Sequence, residues 1–393
     1  MNSMDTLKRE MLSQRVRQVK ASGIRKFFDI INTMPDVISL GVGEPDFVTP
    51  EHIRQAGVRS IQEGHTRYTS NYGLLELREE IAAMLQRRYG LVYDPRTQIL
   101  ATVGVSEGVD LAMRTILDPG DEVIAPDPGY VAYEADIIFA GGVPVPVPTY
   151  AQYDFGIRAA EIAAAITPQT KMILLGNPNN PTGAIIPRAE LEGIARLAVE
   201  HDLVVAVDEV YSRLVYSTEH VCIAALPGMQ ERTLLLDGFS KAYAMTGWRI
   251  GYVAAPSRVL EAMLKVHQYT IMCAGTTAQE AALEALRHGE DDVKAMHDDY
   301  ERRGRMFVAG LNRIGLPACE PKGAFYAFPY IGGTGMSDEE FAEKLLFEEK
   351  VAVVPGSSFG AAGQGYVRCA YCTAYDQLEE ALVRIERFVK KHQ

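Results

Sequence analysis

Short segments that are almost entirely apolar alternate with longer segments of helical periodicity through the middle of the chain. Residues 171–175 and 204–207, for example, are expected to form strands, and the amphipathic residues 188–200 between them a helix. Strands without polar alternation must be covered on both faces, as they are in parallel sheets flanked by helices. The pattern therefore predicts an α/β domain, and ligands of such sheets bind at the carboxyl ends of the strands.

The pattern changes near residue 291, where a long polar helix is expected to begin and to run to residue 313. Beyond it the strands are expected at 324–328, 351–353 and 366–369, and the helices at 338–349 and 376–391. This irregular mixture is typical of an α+β domain. We expect residues 46–290 to form the large α/β domain, and residues 1–45 to join residues 291–393 in the smaller one.

The bulk composition argues against several classes of protein. Acidic residues outnumber basic ones by 51 to 39, a formal charge of −12, which argues against binding nucleic acid or an anionic membrane surface. No apolar run is long enough to cross a membrane, and residues 1–20 do not resemble a secretion signal. Five scattered cysteines, with Cys369 and Cys372 the one close pair, predict no metal site and fit a reducing compartment. We therefore expect a cytoplasmic protein.

One lysine lies in a setting that suits a phosphorylated aldehyde. Lys241 follows a Gly-Phe-Ser turn, and Arg249 comes eight positions later. The amine could form a Schiff base with the aldehyde, while the hydroxyl of Ser240, nearby backbone N–H groups and the guanidinium bind the phosphate. This arrangement is typical of a site for pyridoxal phosphate. The alternative is a surface lysine that happens to lie near a buried tryptophan.

Three further polar stretches follow predicted strands. Residues 177–183, Asn-Pro-Asn-Asn-Pro-Thr-Gly, form a rigid turn that would fix an asparagine side chain, although plain turns also contain these residues. Asp208 ends a buried strand, where a carboxylate needs a partner such as a pyridinium nitrogen, unless it caps a helix. The strand-to-helix turn at residues 103–108 offers free backbone N–H groups to an anion.

These stretches, in this order and spacing, resemble those of the class I/II aminotransferases, a family of pyridoxal phosphate enzymes of fold type I. The Asn-Pro-x-Asn-Pro-Thr-Gly, Asp-Glu-x-Tyr and Ser-Lys…Arg patterns carry the resemblance, which extends from Gly41 to Arg368. It implies a large domain with a mostly parallel seven-stranded sheet, a smaller α+β domain, and pyridoxal 5′-phosphate as the cofactor. Within the family, the chain is similar to bacterial aspartate, aromatic and N-acetyl-L,L-diaminopimelate aminotransferases.

The resemblance implies catalytic roles for the matching residues. Lys241 would form the Schiff base and move the proton, and Asp208 would pair with the pyridine nitrogen. Tyr130 would stack on the ring, unless it is only a core residue. Asn180 and Tyr211 would contact the phenolate oxygen of the cofactor.

The resemblance also implies where the phosphate and the substrate bind. The phosphate would be held by Val105, Ser106, Glu107, Ser240 and Arg249. Tyr68 would reach the phosphate of a neighbouring subunit, which implies a homodimer with shared sites. Arg368, with Gly43 and Asn180, would bind the substrate α-carboxylate, unless it is an ordinary ion-pair partner. Gly238 departs from the pattern, because many relatives have a hydroxyl residue there.

The implied reaction is ping-pong transamination between an L-amino acid, of the glutamate, aspartate or aromatic type, and a 2-oxo acid. The stretches 38–50, 265–269 and 351–356 favour an N-acetyl-L,L-diaminopimelate aminotransferase of lysine biosynthesis as an alternative. A carbon–sulfur lyase would use the same cofactor residues. A transcription regulator would need a DNA-binding extension, for which about 40 residues before Gly41 are too few.

The distal carboxylate of a substrate could bind to basic residues near the N-terminus, which could equally form a solvated face. These residues are Arg15, Arg17, Lys20, Arg25 and Lys26.

Overall fold

The computed structural model of the protein describes residues 10–19, 34 and 36–392. The predicted apolar segments form strands that end within a few residues of the expected positions. In chain order the strands are β1 (Ile38–Ser39), β2 (Ile99–Thr102), β3 (Glu122–Asp127), β4 (Val143–Pro148), β5 (Thr170–Gly176), β6 (Val204–Asp208), β7 (Thr233–Gly238), β8 (Gly251–Ala254), β9 (Tyr326–Ala327), β10 (Val351–Ala352), β11 (Val354–Pro355) and β12 (Val367–Ala370).

The helices surround these strands in the alternation that the sequence predicts. Those of the described residues are α1 (Gln14–Gln18), α2 (Glu51–Gln62), α3 (Leu75–Tyr89), α4 (Gly104–Ile116), α5 (Val131–Ala140), α6 (Ala159–Ala165), α7 (Arg188–Glu200), α8 (Ser257–Thr270), α9 (Thr276–His288), α10 (Glu290–Arg313), α11 (Asp338–Glu349) and α12 (Tyr375–His392). None of the helices in this part of the chain is both long enough and apolar enough to span a membrane.

Seven strands form one sheet in the order β2–β8–β7–β6–β5–β3–β4. The neighbours are parallel except for β8, which runs antiparallel to both β2 and β7. Every residue of β2, β7 and β8 is buried, which requires cover on both faces. The structure thus confirms the α/β class and the mostly parallel seven-stranded sheet.

Alternate residues of a strand point to opposite faces of the sheet, and each face has its own hydrophobic cluster. Leu174 of β5 packs on one face in a cluster with residues of α4, α5 and α8, such as Met263. Ile173 and Leu175 pack on the other face with Ile162 of α6 and with residues of α7. This two-sided cover is what the continuous apolar strands predict, and it leaves the polar chemistry to the strand ends.

A smaller group of strands lies outside the large sheet. β11, β12 and β9 form a three-stranded antiparallel sheet, and β1 pairs with β10 in parallel. Residues of β1 also share a hydrophobic cluster with the C-terminal helices, in which Ile38 lies with Phe341 and Phe388. The short strand β1 therefore joins residues near the beginning of the chain to residues beyond 291.

Three helices of the described residues, α1, α2 and α9, were not predicted from the sequence. In α2 the large apolar side chains are few, and Ile53 is the one that is fully buried. In α9 the buried face consists mainly of alanines, such as Ala281 and Ala285, which give a weak periodic signal. The strand expected at 324–328 is also shorter, since only Tyr326 and Ala327 pair in β9.

Candidate active site

Most of the predicted site residues follow strands that end at one edge of the large sheet. Since β8 is antiparallel to both β2 and β7, β2 runs in the same direction as the parallel strands β7, β6, β5 and β3. The residues that follow these carboxyl ends are Val105, Ser106 and Glu107 after β2, Tyr130 after β3, Asn180 after β5, Asp208 at the end of β6, and Ser240 and Lys241 after β7. The fold therefore brings distant parts of the sequence to one edge.

Lys241 points toward the loop that precedes α2. Its Nζ donates a hydrogen bond to the carbonyl oxygen of Gly43, at 2.7 Å, and lies 5.8 Å from the centre of the Tyr211 ring. Removal from water lowers the pKa of Lys241 to about 8, and the nearby positive charge of Arg368 acts in the same direction. A large share of the amine is therefore neutral near pH 8, which an attacking or proton-accepting amine requires.

Asp208 is a buried carboxylate at the end of β6, with 8% of its surface exposed. It accepts hydrogen bonds from the hydroxyl of Tyr133 at 2.9 Å and from the backbone N–H of Val210 at 3.1 Å. Burial raises the pKa of Asp208 to about 6. A turn, and not a helix, follows Asp208, so the alternative role as a helix cap does not apply. No basic side chain of the described residues forms an ion pair with it, and a protonated ring nitrogen would supply that charge.

Tyr211 is held by a tyrosine that the sequence analysis did not single out. The hydroxyls of Tyr211 and Tyr326 lie 2.6 Å apart, and both rings are buried. Tyr326 also lies against the loop below Lys241, since a Cβ added to Gly43 would come within 2.0 Å of its hydroxyl. The sequence analysis placed Tyr326 in the predicted strand 324–328 and gave no other indication of its role.

Arg368 comes from β12 and contacts the predicted turn after β5. It is 4% exposed, and its Nη1 donates to the side-chain oxygen of Asn180 at 2.9 Å. Its guanidinium lies over the rings of Tyr326 and Phe359, 4.7 and 4.8 Å from their centres. No carboxylate of the described residues pairs with it, and its Nε has no hydrogen-bond partner there. Arg368 is therefore not an ordinary ion-pair partner, and it retains a donor for an anion.

Four of the predicted phosphate residues, Val105, Ser106, Glu107 and Arg249, lie at the N-terminus of α4. The amides of Val105, Ser106 and Glu107 lie in the first helical turn, where N–H groups have no partner within the helix. Arg249 lies directly above this turn: a Cβ on Gly104, whose φ is +71°, would come within 2.7 Å of its Nη2. A helix N-terminus beside a guanidinium attracts anions, so these residues fit a phosphate group.

Gly238, which departs from the family pattern, lies where an added side chain would be crowded. It pairs with Gly251 across β7 and β8. A Cβ at Gly238 would lie 3.0 Å from the Cα of Gly251 and 3.0 Å from Cγ2 of Val105. Two facing glycines thus allow the first turn of α4 to approach the sheet closely.

Replacing Gly238 with serine is therefore expected to destabilise the protein by about 1–3 kcal/mol, because the added Cβ presses on backbone that cannot move freely. The check is the free energy of unfolding from urea denaturation of the cofactor-free protein. Gly333, like Gly238, does not have a positive φ, and a Cβ there would meet nothing within 4 Å, so Gly333→Ser measures the loss of a glycine without crowding. Equal losses at the two positions would contradict the packing argument.

Two other predicted residues have different surroundings. The ring of Tyr130 meets that of Tyr133 edge to face, with centres 5.5 Å apart, which places it beside the residue that binds Asp208. Tyr133 itself was missed; it lies in the first turn of α5, and Tyr130 immediately precedes that helix. Tyr68 is 79% exposed.

The basic residues near the N-terminus are not brought to this edge where the structure describes them. Arg15 donates to the carbonyl oxygen of Phe139 at the last turn of α5, whereas the site lies at the first turn. Arg17 pairs with Glu10. Lys20, Arg25 and Lys26 lie outside the described residues.

Comparison with known proteins agrees with this geometry. A family model described as "Aminotransferase class I and II" matches residues 35–385. A Bacillus subtilis protein that carries the name aminotransferase YugH is 54% identical over 380 residues, covering 97% of this chain and 98% of the relative. Aromatic-amino-acid aminotransferase 2 of Thermococcus litoralis is 46% identical and covers 97% and 98%. The solved structure of aspartate aminotransferase from Thermus thermophilus with maleate matches with a TM-score of 0.91 at 40% identity, covering 96% and 100%.

Proposed function

The chain belongs to the class I and II aminotransferases, enzymes that use pyridoxal phosphate, and from this premise we propose its substrates and the roles of its residues. We propose that it moves an amino group between an L-amino acid of the glutamate, aspartate or aromatic type and a 2-oxo acid. The observation that carries the proposal is Arg368, a buried arginine without an acidic partner among the described residues, beside Asn180. The aromatic rings over its guanidinium keep water away from the charge, which strengthens its attraction for a carboxylate.

The described residues fit pyridoxal phosphate. Asp208 suits the ring nitrogen, and Tyr211 with Asn180 suits the phenolate oxygen. The first turn of α4, Arg249 and Ser240 would hold the phosphate, and Lys241 would carry the aldehyde carbon. When bound, the cofactor supplies an electron-accepting ring that makes removal of the substrate α-proton less costly.

The protein side of the reaction follows from three residues. Lys241, as a neutral amine, accepts the α-proton at Nζ and releases it again within the same site. Arg368 fixes the carboxylate so that the α-C–H bond faces that amine, which is an effect of positioning. Tyr130, whose ring meets that of Tyr133 beside Asp208, would stack on the cofactor ring and help to hold it in place.

The low pKa of Lys241 predicts how the cofactor-free protein takes up pyridoxal phosphate as pH changes. Attachment needs the neutral amine, so its rate should rise with pH up to about pH 8 and then level off. The check is the growth of visible absorbance after rapid mixing, measured from about pH 6 to about pH 10. N-α-acetyl-lysine in solution is the control, because its amine titrates near pH 10.4. A protein curve that followed the control would contradict the proposed environment of Lys241.

We further propose that the enzyme is a homodimer in which Tyr68 completes the site of the partner. The high exposure of Tyr68, together with that of Val48 and Tyr269, supports this proposal, because large exposed apolar side chains mark interfaces.

We propose residues 46–290 as the large domain, and residues 1–45 with 291–393 as the small one. The five cysteines are free of disulfides, which supports a cytoplasmic location.

Single-donor experiments test the proposed reaction. The holoenzyme is mixed with one amino acid at a time, without an oxo acid, and both the visible spectrum and the released products are followed. We expect glutamate, aspartate or an aromatic amino acid to convert the cofactor and release one equivalent of its oxo acid. N-acetyl-L,L-diaminopimelate is included, since faster conversion by it would assign the lysine-biosynthesis alternative. Release of pyruvate and ammonia with an unchanged spectrum would instead indicate a lyase.

A further inference from the structure

Two buried tyrosine hydroxyls face each other near the lysine of the site. The hydroxyl oxygens of Tyr211 and Tyr326 lie 2.6 Å apart, and neither forms a hydrogen bond with any other group of the described residues. Tyr211 follows β6 of the large sheet, whereas Tyr326 belongs to β9 of the small sheet. The contact therefore connects the small sheet to the edge of the large sheet where the site residues lie.

The hydroxyl of Tyr326 is held in place by its surroundings. Tyr326 pairs with Ala370 of β12 and is 2% exposed. The guanidinium of Arg368, two residues before Ala370, lies 4.7 Å from the centre of its ring. The loop at Gly43 approaches so closely that a Cβ there would come within 2.0 Å of the hydroxyl. The hydroxyl of Tyr326 therefore has little room to turn away from Tyr211.

A hydroxyl carries one proton, which limits how the two tyrosines can be hydrogen-bonded. Either hydroxyl can donate across their contact. Burial raises the pKa of Tyr326 to about 12 and that of Tyr211 well above its usual value, so both are protonated at neutral pH. If Tyr211 gives its proton to the phenolate oxygen of the cofactor, the proton between the two tyrosines must come from Tyr326.

We propose that Tyr326 is a positioning residue: it donates its proton to the oxygen of Tyr211 and thereby directs the proton of Tyr211 to the phenolate oxygen of pyridoxal phosphate. This inference rests on the proposed function, which places Tyr211 at that oxygen. Tyr326 does not touch the cofactor in this account. The positive charge of Arg368 over its ring makes Tyr326 a better donor, and a donor to Tyr211 makes Tyr211 a better donor in turn.

The donation from Tyr211 affects how firmly the linkage between Lys241 and the cofactor holds its proton. That proton lies on the linkage nitrogen and is shared with the phenolate oxygen. A hydrogen bond from Tyr211 to the same oxygen competes with this sharing, so the proton leaves at a lower pH. The visible spectrum of the bound cofactor changes when the proton leaves, and the pH of that transition therefore reports on the two tyrosines.

Tyr326→Phe removes one oxygen atom and keeps the ring beneath the guanidinium of Arg368. We expect the spectral transition of the holoenzyme to move upward by about half a pH unit or more, the effect of losing one neutral hydrogen bond. The measurement is a pH titration of the visible spectrum without any substrate. An unchanged transition would overturn the inference.

The double variant Tyr211→Phe with Tyr326→Phe separates an effect through Tyr211 from any other route. Tyr211→Phe alone should raise the pH of the transition more than Tyr326→Phe does, and the second substitution should then add nothing. Shifts that simply add would overturn the inference. The double variant leaves neither hydroxyl unpaired, so it can be compared with Tyr211→Phe whatever the stability of Tyr326→Phe.

Tyr216→Phe is the matched control. Tyr216 is also a fully buried tyrosine, but its hydroxyl donates to the backbone carbonyl oxygen of Ala324 and not to a site residue. The transition of Tyr216→Phe should stay within about 0.2 pH unit of the wild type, as expected for an independent position. An equal shift in this control would overturn the specific role of Tyr326.

The same titrations distinguish this inference from the proposed function. A wild type that bound no pyridoxal phosphate would remove the proposed function. An unshifted Tyr211→Phe would remove the contact of Tyr211 with the phenolate oxygen, and the inference with it. A shifted Tyr211→Phe beside an unshifted Tyr326→Phe would leave the proposed function intact and remove only the role of Tyr326.

Discussion

Replacement of Lys241 with alanine is expected to lower the rate of transamination by at least about four orders of magnitude, since the amine acts as both nucleophile and proton carrier. The methyl group of alanine cannot accept a proton, and no other amine donates to Gly43 O among the described residues. The variant should still fold, because the buried strand β7 that precedes the lysine is unchanged. The check is the rate of the half-reaction with a single amino donor, measured under single-turnover conditions.

The control for this variant is Lys322→Ala. Lys322 forms an exposed ion pair with Asp154, and its loss should alter the half-reaction by less than about twofold. Partial recovery of Lys241→Ala by added methylamine would further identify the missing group as an amine. A Lys241→Ala protein that retained a substantial fraction of the rate would contradict the assignment.

Asp208→Asn is expected to lower the half-reaction rate by about two to three orders of magnitude, the effect of losing one strong electrostatic contact in a site shielded from water. Asparagine has the same shape as aspartate, and its oxygen can still accept from the N–H of Val210. It cannot carry the negative charge that keeps a ring nitrogen protonated. The cofactor should remain attached, since Lys241 and the phosphate turn are intact, so rate and cofactor content are measured on the same sample.

A second buried carboxylate offers a control of the same chemistry. Asp237 lies near the end of the neighbouring strand β7, and burial raises its pKa to about 7. It accepts from the backbone N–H of Gly238 at 2.7 Å and from the hydroxyl of Tyr252 at 3.2 Å. Asp237→Asn should affect stability more than rate. An equal fall in rate for both variants would mean that burial of a carboxylate, and not its place at the ring, is what matters.

The sequence carries enough local information to locate the groups at strand ends. Asp208 and Lys241 each follow a run of apolar residues, so the strand and the polar group after it are recognised together. The direction of parallel strands then predicts that such groups meet at one edge, and the structure brings them there. Their chemical roles stay predictions until the variants are measured.

Contacts between distant segments could not be predicted in the same way. Tyr326 meets Tyr211 across 115 positions, and His267 meets Glu107 across 160. Neither tyrosine nor histidine has a local pattern that names its partner, because the contact depends on how helices and sheets pack. The absence of a side chain at Gly238 is similar, since its cause is the facing Gly251 and the approach of α4.

The most direct test of the account is to locate the lysine that carries the cofactor. The holoenzyme is reduced with borohydride, which makes the attachment permanent, then digested, and the peptides are examined by mass spectrometry. The account predicts a phosphopyridoxyl group on Lys241, in the peptide that contains Ser240, and on no other lysine. A cofactor fixed to a different lysine, or a coloured protein that yields no modified peptide, would contradict it.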